Sequence, residues 1–193
     1  MTTIGINLLP EWLHETFKRA SHQTFPSMQE RAAFVIELSR LNSAYATGGP
    51  FGAAVFNMAT WQLISVGVNR VVPLNASVAH AEMVALTLAQ QALHHFDLGA
   101  KELPACELVT STEPCAMCFG AIPWSGIRQL VCCAEGADAE RIGFDEGPKH
   151  PNWIAELERR NIHVITQICR AEAAKVLDDY HTTQGLIYNA RQG

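Results

Sequence analysis

Two short stretches decide how the rest of the sequence is interpreted: residues 79–83, Ala-His-Ala-Glu-Met, and residues 113–118, Glu-Pro-Cys-Ala-Met-Cys. Each stands where a helical pattern of apolar residues begins, and Pro114 suits a first helical turn because proline has no N–H to leave unpaired. Helix N-termini carry free N–H groups and the positive end of the helix dipole, which favour thiolates. We therefore expect both stretches to contribute to one chemical site.

The residue types in these stretches are those of a zinc site. Cys115 and Cys118 are three positions apart, so they face the same side of a helical turn and can hold one ion. Together with His80 they supply one nitrogen and two sulfur ligands, a set that suits Zn²⁺. Three protein ligands are typical of a catalytic zinc site, whereas a structural site has four. Glu82 follows His80 by two residues and can take a proton from water beside the metal.

Strands and helices alternate outward from the two stretches. Helices are predicted at about residues 10–21, 27–47, 79–96, 115–124, 151–160 and 170–180, and strands at 52–57, 62–69, 107–110, 129–134 and 163–166. Ser27 and Glu30 have the spacing of a capping box at the start of the second helix. The first two strands are close enough to form an antiparallel hairpin, and helices separate the later strands, which favours parallel pairing. This order indicates an α/β fold with a mixed sheet covered by helices on both faces.

Length and charge limit the function classes. We expect residues 1–193 to form a single domain, with residues 181–193 as a C-terminal tail that can act as a lid. The chain has 14 Lys+Arg against 19 Asp+Glu and a formal charge of −5, which weighs against a general binder of nucleic acid.

No stretch approaches the roughly 18 apolar residues that a membrane span needs. Residues 1–10 lack the basic segment of a signal peptide, so we expect a cytoplasmic protein whose six cysteines are reduced.

The two motifs together resemble those of the zinc deaminases. His80-x-Glu82 followed by Pro114-Cys115-x-x-Cys118 matches the pattern H-x-E then P-C-x-x-C, in which the glutamate is a general acid and base. The chain thus resembles the cytidine deaminase-like superfamily, which implies a three-layer α/β/α sandwich around a mixed five-stranded sheet. It also implies a homodimer, with a C-terminal segment that can be swapped between subunits.

Further segments are similar to the bacterial guanine deaminases of the nucleobase-deaminase branch. They are Gly-Pro-Phe-Gly-Ala at residues 49–53, the stretch 113–122 with the following Trp124, and Ile-Gly-Phe-Asp-Glu at residues 142–146. The resemblance implies zinc-assisted hydrolysis of guanine to xanthine and ammonia, with Glu82 moving the proton. Glu146 stands where the family has an acid at the purine edge, often aspartate, and it is a second candidate catalytic residue that can carry protons. The residues expected to contact a small nucleobase are Phe51, Asn69, Ala81, Trp124, Glu146 and Tyr188.

Several alternatives stay open at this point. Amino-triazines present a similar amino–C–N–H edge and are further candidate substrates. A tRNA adenosine deaminase or a cytosine deaminase would share the zinc motifs, although a tRNA enzyme needs a basic face around its pocket. A zinc-stabilised binding module without catalysis would need a fourth protein ligand. We expect a nucleobase as the partner, and neither nucleic acid nor a membrane.

Overall fold

A five-stranded mixed sheet lies at the centre of the protein, whose computed structural model describes residues 7–190. The strands are β1 (Gly52–Asn57), β2 (Leu63–Val68), β3 (Cys106–Thr112), β4 (Gln129–Ala134) and β5 (His163–Ile165). They lie in the order β2-β1-β3-β4-β5. β1 is antiparallel to both β2 and β3, whereas β3, β4 and β5 are parallel. The predicted hairpin and the mixed sheet are confirmed.

The helices surround this sheet. They are α1 (Glu11–Ala20), α2 (Met28–Ala44), α3 (Val71–Leu74), α4 (Ala81–Ala92), α5 (Ala116–Ser125), α6 (Gly136–Arg141), α7 (Trp153–Glu158) and α8 (Arg170–Thr182). The predicted capping box opens α2, because the Glu30 N–H donates to the Ser27 side chain and the Glu30 carboxylate accepts from the Ser27 N–H. These two bonds satisfy N–H groups that a helix start leaves free.

Both faces of the sheet are buried, as a three-layer sandwich requires. Successive side chains of a strand point to opposite faces. Ala54 and Phe56 of β1 pack in a cluster with α1, α2 and α8, whereas Val55 packs on the other face with α4, α5 and α7. Cys132 and Cys133 likewise lie in different clusters, one thiol on each face. The predicted α/β/α architecture is therefore confirmed.

Three helices differ from those predicted. No element was predicted at residues 71–74 or 136–141, where the structure has α3 and α6. These helices have four and six residues, too few for an apolar period to be visible. α6 is held instead by a capping box in which Glu135 and Asp138 cap each other's backbone N–H. α4 ends at Ala92, four residues before Phe96, whose side chain is exposed.

Other expectations concern the thiols, the membrane and the first residues. All six cysteines are free in the structure. No helix among residues 7–190 has the length and apolar content to cross a membrane. The expectation that residues 1–10 contain no signal peptide falls largely outside the described residues.

Candidate active site

The two motif stretches meet at one edge of the sheet. β2 and β3 are both antiparallel to β1, so their carboxyl ends lie on the same side. α5 begins four residues after β3 ends, and the start of α4 packs against the end of β2 so closely that a Cβ on Gly67 would lie 2.1 Å from the Ala81 carbonyl oxygen. Only glycine fits at that position. The N-termini of α4 and α5 therefore face each other across a short gap.

The predicted metal ligands are assembled in this gap. His80 is the N-cap residue of α4 and Cys115 that of α5, while Cys118 lies in the first turn of α5. One ligand atom from each of the three residues lies within 4.8 Å of the other two, and the Cys115 Sγ is 3.5 Å from the His80 Nδ1. One nitrogen and two sulfurs at these separations fit a tetrahedral zinc ion with one open position. The donor set therefore agrees with zinc.

Local electrostatics favour the thiolate that zinc needs. A hydrogen bond from the Cys118 thiol lowers the pKa of Cys115 to about 4 against the effect of burial, and the adjacent His80 lowers it further. Metal binding requires deprotonated cysteines, so Cys115 is prepared for an ion. The pKa of Cys118 is raised instead, because its thiol is hydrogen-bonded to Cys115 and is buried.

Two buried carboxylates face the same space. Glu82 is 8 % exposed, and burial raises its pKa to about 7, with the Cys115 charge acting in the same direction. Glu146 is equally buried, and burial together with the charge of Cys115 raises its pKa to about 8. A carboxyl group with a pKa near neutrality can both accept and return a proton during a reaction.

A cavity of about 320 Å³ opens above the metal ligands. It is large enough for one nucleobase, since small-molecule sites typically have volumes of roughly 300–1,000 Å³. The predicted site residues that line it are Phe51, Asn69, His80, Glu82, Cys115, Glu146 and Tyr188. The described lining residues include neither lysine nor arginine.

Two polar atoms of this lining have no hydrogen-bond partner among residues 7–190. They are the Asn69 Nδ2, a donor, and the Glu146 Oε2, an acceptor. The Asn69 Oδ1 accepts from the Val71 N–H at 3.2 Å, which fixes the orientation of the amide. An unpaired buried polar group costs about 1–3 kcal/mol. A ligand that satisfies both atoms would therefore gain affinity and a defined orientation.

Aromatic rings form one wall of the cavity. The Phe144 ring lies edge-on to Phe51 and Tyr188, with ring centroids 4.9 and 5.1 Å away. Tyr188 belongs to the tail after α8, so the predicted lid segment does reach the pocket of its own chain. The tail begins at residue 183, two positions later than expected, because α8 continues to Thr182. Aromatic faces of this kind can stack on a planar base.

Two predicted substrate contacts are not found in this pocket. Trp124 is 86 % exposed and lines a separate depression with Phe119 and Arg128, so it is not part of the pocket of its own subunit. Ala81 is not among the described residues that line this cavity, and its carbonyl lies against Gly67 of β2. Its contact with the substrate stays a prediction.

Sequence reasoning missed the groups that support the site. Phe144 was part of a motif but had no assigned role. The Glu113 carboxylate accepts from the Gly136 N–H at 3.1 Å and pairs with Lys149 at 3.4 Å. These partners are 23 and 36 residues from Glu113, and no local pattern connects them.

Comparison with known proteins agrees with this geometry. Residues 28–134 match the family model for the cytidine and deoxycytidylate deaminase zinc-binding region. The guanine deaminase of Bacillus subtilis is 41 % identical over 115 residues, which is 60 % of this chain and 69 % of that protein. A tRNA-specific adenosine deaminase of Buchnera aphidicola is 31 % identical over 119 residues, 62 % of this chain and 72 % of that protein.

A solved structure extends the similarity to nearly the whole chain. The crystal structure of a guanine deaminase from Nitrosomonas europaea superposes with a TM-score of 0.86 at 46 % sequence identity, covering 94 % of this chain and 99 % of that one. The chain therefore belongs to the zinc-binding cytidine and deoxycytidylate deaminase family, in its bacterial guanine deaminase branch, and is a zinc-dependent aminohydrolase.

Proposed function

We propose that this protein hydrolyses guanine to xanthine and ammonia. The observation that carries the proposal is the pair of unpartnered atoms in the cavity, the Asn69 Nδ2 donor and the Glu146 Oε2 acceptor. Guanine presents acceptors at O6 and N7 and donors at N1 and its C2 amino group, so one ring can satisfy both. The similarity to the Bacillus and Nitrosomonas guanine deaminases supports the same substrate.

The residues around the cavity have separate roles in the reaction. A zinc ion held by His80, Cys115 and Cys118 would supply Lewis-acid chemistry and lower the pKa of a water molecule. Glu82 accepts one proton from the attacking water and delivers it to the ring nitrogen beside C2. It then carries the second proton of that water from the new C2 hydroxyl to the amine, so that the C2–N bond breaks and ammonia leaves. Glu146 accepts a hydrogen bond from the donor edge of the ring and sets its orientation.

The same groups disfavour adenine. Adenine has an acceptor nitrogen next to its amino-bearing carbon, so a carboxylate at Glu146 would face a second acceptor. A site that loses a buried hydrogen bond in this way can discriminate by roughly 10⁴-fold or more.

A tRNA substrate is disfavoured by charge. A polyanion requires lysine and arginine around the pocket, and the described lining has neither. The formal charge of −5 acts in the same direction. Amino-triazines retain the amino–C–N–H edge and remain secondary candidates.

Ammonia release from a substrate panel tests the proposed substrate. The zinc-loaded protein would be incubated with guanine, adenine, cytosine, their nucleosides, amino-triazines and tRNA. We expect guanine to give the highest kcat/KM. Turnover of another member without turnover of guanine would refute the proposal.

Replacing Glu146 by glutamine tests the assigned edge contact. Hydrogen bonds donated by the ring favour the ionised form of Glu146 against the burial that raises its pKa, whereas glutamine has the same size but offers only a neutral amide. Hydrogen bonds to charged groups contribute about 1.5–3 kcal/mol, so guanine kcat/KM should fall by about 10–100-fold. Steady-state kinetics would measure this, with the exposed Glu140→Gln of α6 as the matched control. Equal kcat/KM values for the two variants would exclude Glu146 from substrate binding.

We also infer that the whole chain is one deaminase domain, that it is cytoplasmic, and that it forms a homodimer. The exposed Trp124 and its neighbour Phe119 offer an apolar surface for a second copy. The tail of each subunit would either stay in its own pocket or be swapped. Sedimentation at micromolar concentration should give twice the 21.2 kDa chain mass, and a monomer would contradict the dimer.

A further inference from the structure

The segment that carries Glu146 has no secondary structure of its own. α6 ends at Arg141, and residues 144–149 form neither helix nor strand. Its second half is fastened to the metal side of the pocket, because the Ala116 N–H donates to the Glu146 carbonyl at 2.9 Å and Lys149 pairs with Glu113. Neither of these contacts holds the residues that precede Glu146.

That first half is held by the Phe144 N–H, which donates to the Ala139 carbonyl at 3.2 Å, and by one side chain from the C-terminal tail. The Asp145 N–H donates to the Asn189 Oδ1 at 3.0 Å, and the Asn189 Nδ2 donates to the Gly143 carbonyl at 2.8 Å. A residue in a parallel strand forms the same pair of hydrogen bonds with the neighbouring strand. Its N–H donates to the carbonyl of the residue before its partner, and its carbonyl accepts from the N–H of the residue after its partner. The Asn189 amide thus replaces a missing strand partner beside Phe144. Gly143 has φ +107°, a backbone conformation that favours glycine.

The tail itself is fixed well enough to present Asn189. The Tyr180 hydroxyl of α8 donates to the Leu186 carbonyl at 2.8 Å, and the Tyr188 ring packs edge-on against Phe144. Ile187 packs against the core cluster next to Gly143. These contacts on both sides of Asn189 hold its side-chain amide opposite the Gly143 carbonyl and the Asp145 N–H.

We propose that Asn189 is a positioning residue, which fixes residues 143–145 and thereby aims the Glu146 carboxylate at the substrate edge. This role rests on the proposed function, since it acts through the substrate contact assigned to Glu146. The side chain of Asn189 holds backbone atoms and takes no part in the proton transfer. Loss of its two hydrogen bonds should free the loop without changing the metal ligands.

Amide hydrogen exchange tests, independently of any activity, whether Asn189 holds residues 143–145 in place. In zinc-loaded Asn189→Ala, the Asp145 amide should exchange faster than in the unsubstituted protein, because its acceptor is gone. Leu186→Ala is the matched control in the same tail, since that side chain is 60 % exposed and only its backbone carbonyl is bonded. Unchanged exchange at Asp145 in Asn189→Ala would overturn the proposal.

Kinetics then test whether the fastening acts through Glu146. Displacement of a binding group by about 1 Å can cost up to roughly 100-fold, so Asn189→Ala should lower guanine kcat/KM by about 10-fold or more, mainly through KM, with zinc content unchanged. In the Glu146→Gln background the same substitution should cost less than about twofold, because coupled residues are not additive.

The outcomes of these kinetics are distinguishable. A kcat/KM for Asn189→Ala equal to that of Leu186→Ala would overturn the positioning role, and so would an undiminished effect in the Glu146→Gln background. If the unsubstituted protein releases no ammonia from guanine, the proposed function fails. In that case the exchange of the Asp145 amide decides whether Asn189 fastens the loop.

Discussion

Glu82→Gln is expected to lower guanine kcat by about 10²–10⁴-fold while the protein keeps its zinc. Glutamine has nearly the same shape as glutamate but cannot accept and return a proton. The side chain is buried beside the metal ligands yet lies outside the group of three ligand atoms, so metal binding should persist. Single-turnover kinetics would report the loss at the chemical step, and elemental analysis the zinc content.

The control for this variant is Glu140→Gln, which makes the same change on the exposed surface of α6. It should retain normal kcat and zinc. Glu82→Gln with kcat within about twofold of the unsubstituted protein would remove Glu82 from the proton-transfer role. Loss of zinc from Glu82→Gln would instead make it a ligand, contrary to the donor set described above.

Arg31→Met is expected to lower the free energy of unfolding by about 3–5 kcal/mol. Arg31 is 2 % exposed and its Nε lies 2.5 Å from an oxygen of Glu107, which is fully buried. The guanidinium also donates to the Phe25 carbonyl at 2.8 Å and lies 4.0 Å from the Trp61 ring centroid. Removing the cation leaves the Glu107 charge buried, with Gln129 as its one remaining side-chain donor in the described part of the chain. Urea unfolding of the zinc-loaded protein would measure the loss.

Arg40→Met on the same helix is the matched control. Arg40 pairs with Glu37 on the surface, where such pairs contribute about 0–1 kcal/mol. The double variant Arg31→Met/Glu107→Leu should recover part of the stability, because no charge is then left buried alone. A smaller loss for Arg31→Met than for Arg40→Met would contradict the importance of the buried pair.

The ion pair also shows where sequence reasoning ends. Arg31 and Glu107 are 76 residues apart, and nothing in the local pattern of either residue indicates that they meet. The zinc ligands could be predicted because Cys115 and Cys118 share one helical turn and the flanking motif supplies the third ligand, His80. Local spacing thus predicted the metal site, but it could not predict partners that only the folded chain brings together.

A second limit of prediction from sequence is the choice of which face of a helix is buried. α5 carries apolar residues on all sides, so its sequence does not distinguish the face that packs on the sheet from the face that points outward. Ile122 is buried, whereas Trp124, two residues later and about 200° around the helix, is exposed. The strands were easier to assign, since a sheet buried on both faces gives nearly continuous apolar runs.

The tail was the least predictable part of the site. Residues 183–190 have no helical or strand period, and their positions depend on contacts of Tyr188 and Asn189 with the loop after α6. Tyr188 could be suggested as a lid residue because an aromatic side chain near a base pocket is useful. The role of Asn189 became visible only from the two hydrogen bonds of its amide.

The central claim, zinc-dependent deamination of guanine, is tested most directly by identifying the product formed with and without the metal. Protein freed of metal by a chelator and then reloaded with zinc should convert guanine to equal amounts of xanthine and ammonia, while the metal-free protein should form neither. Chromatography for xanthine and an enzymatic ammonia assay would follow both products. Equal xanthine formation without zinc, or none with it, would contradict the account.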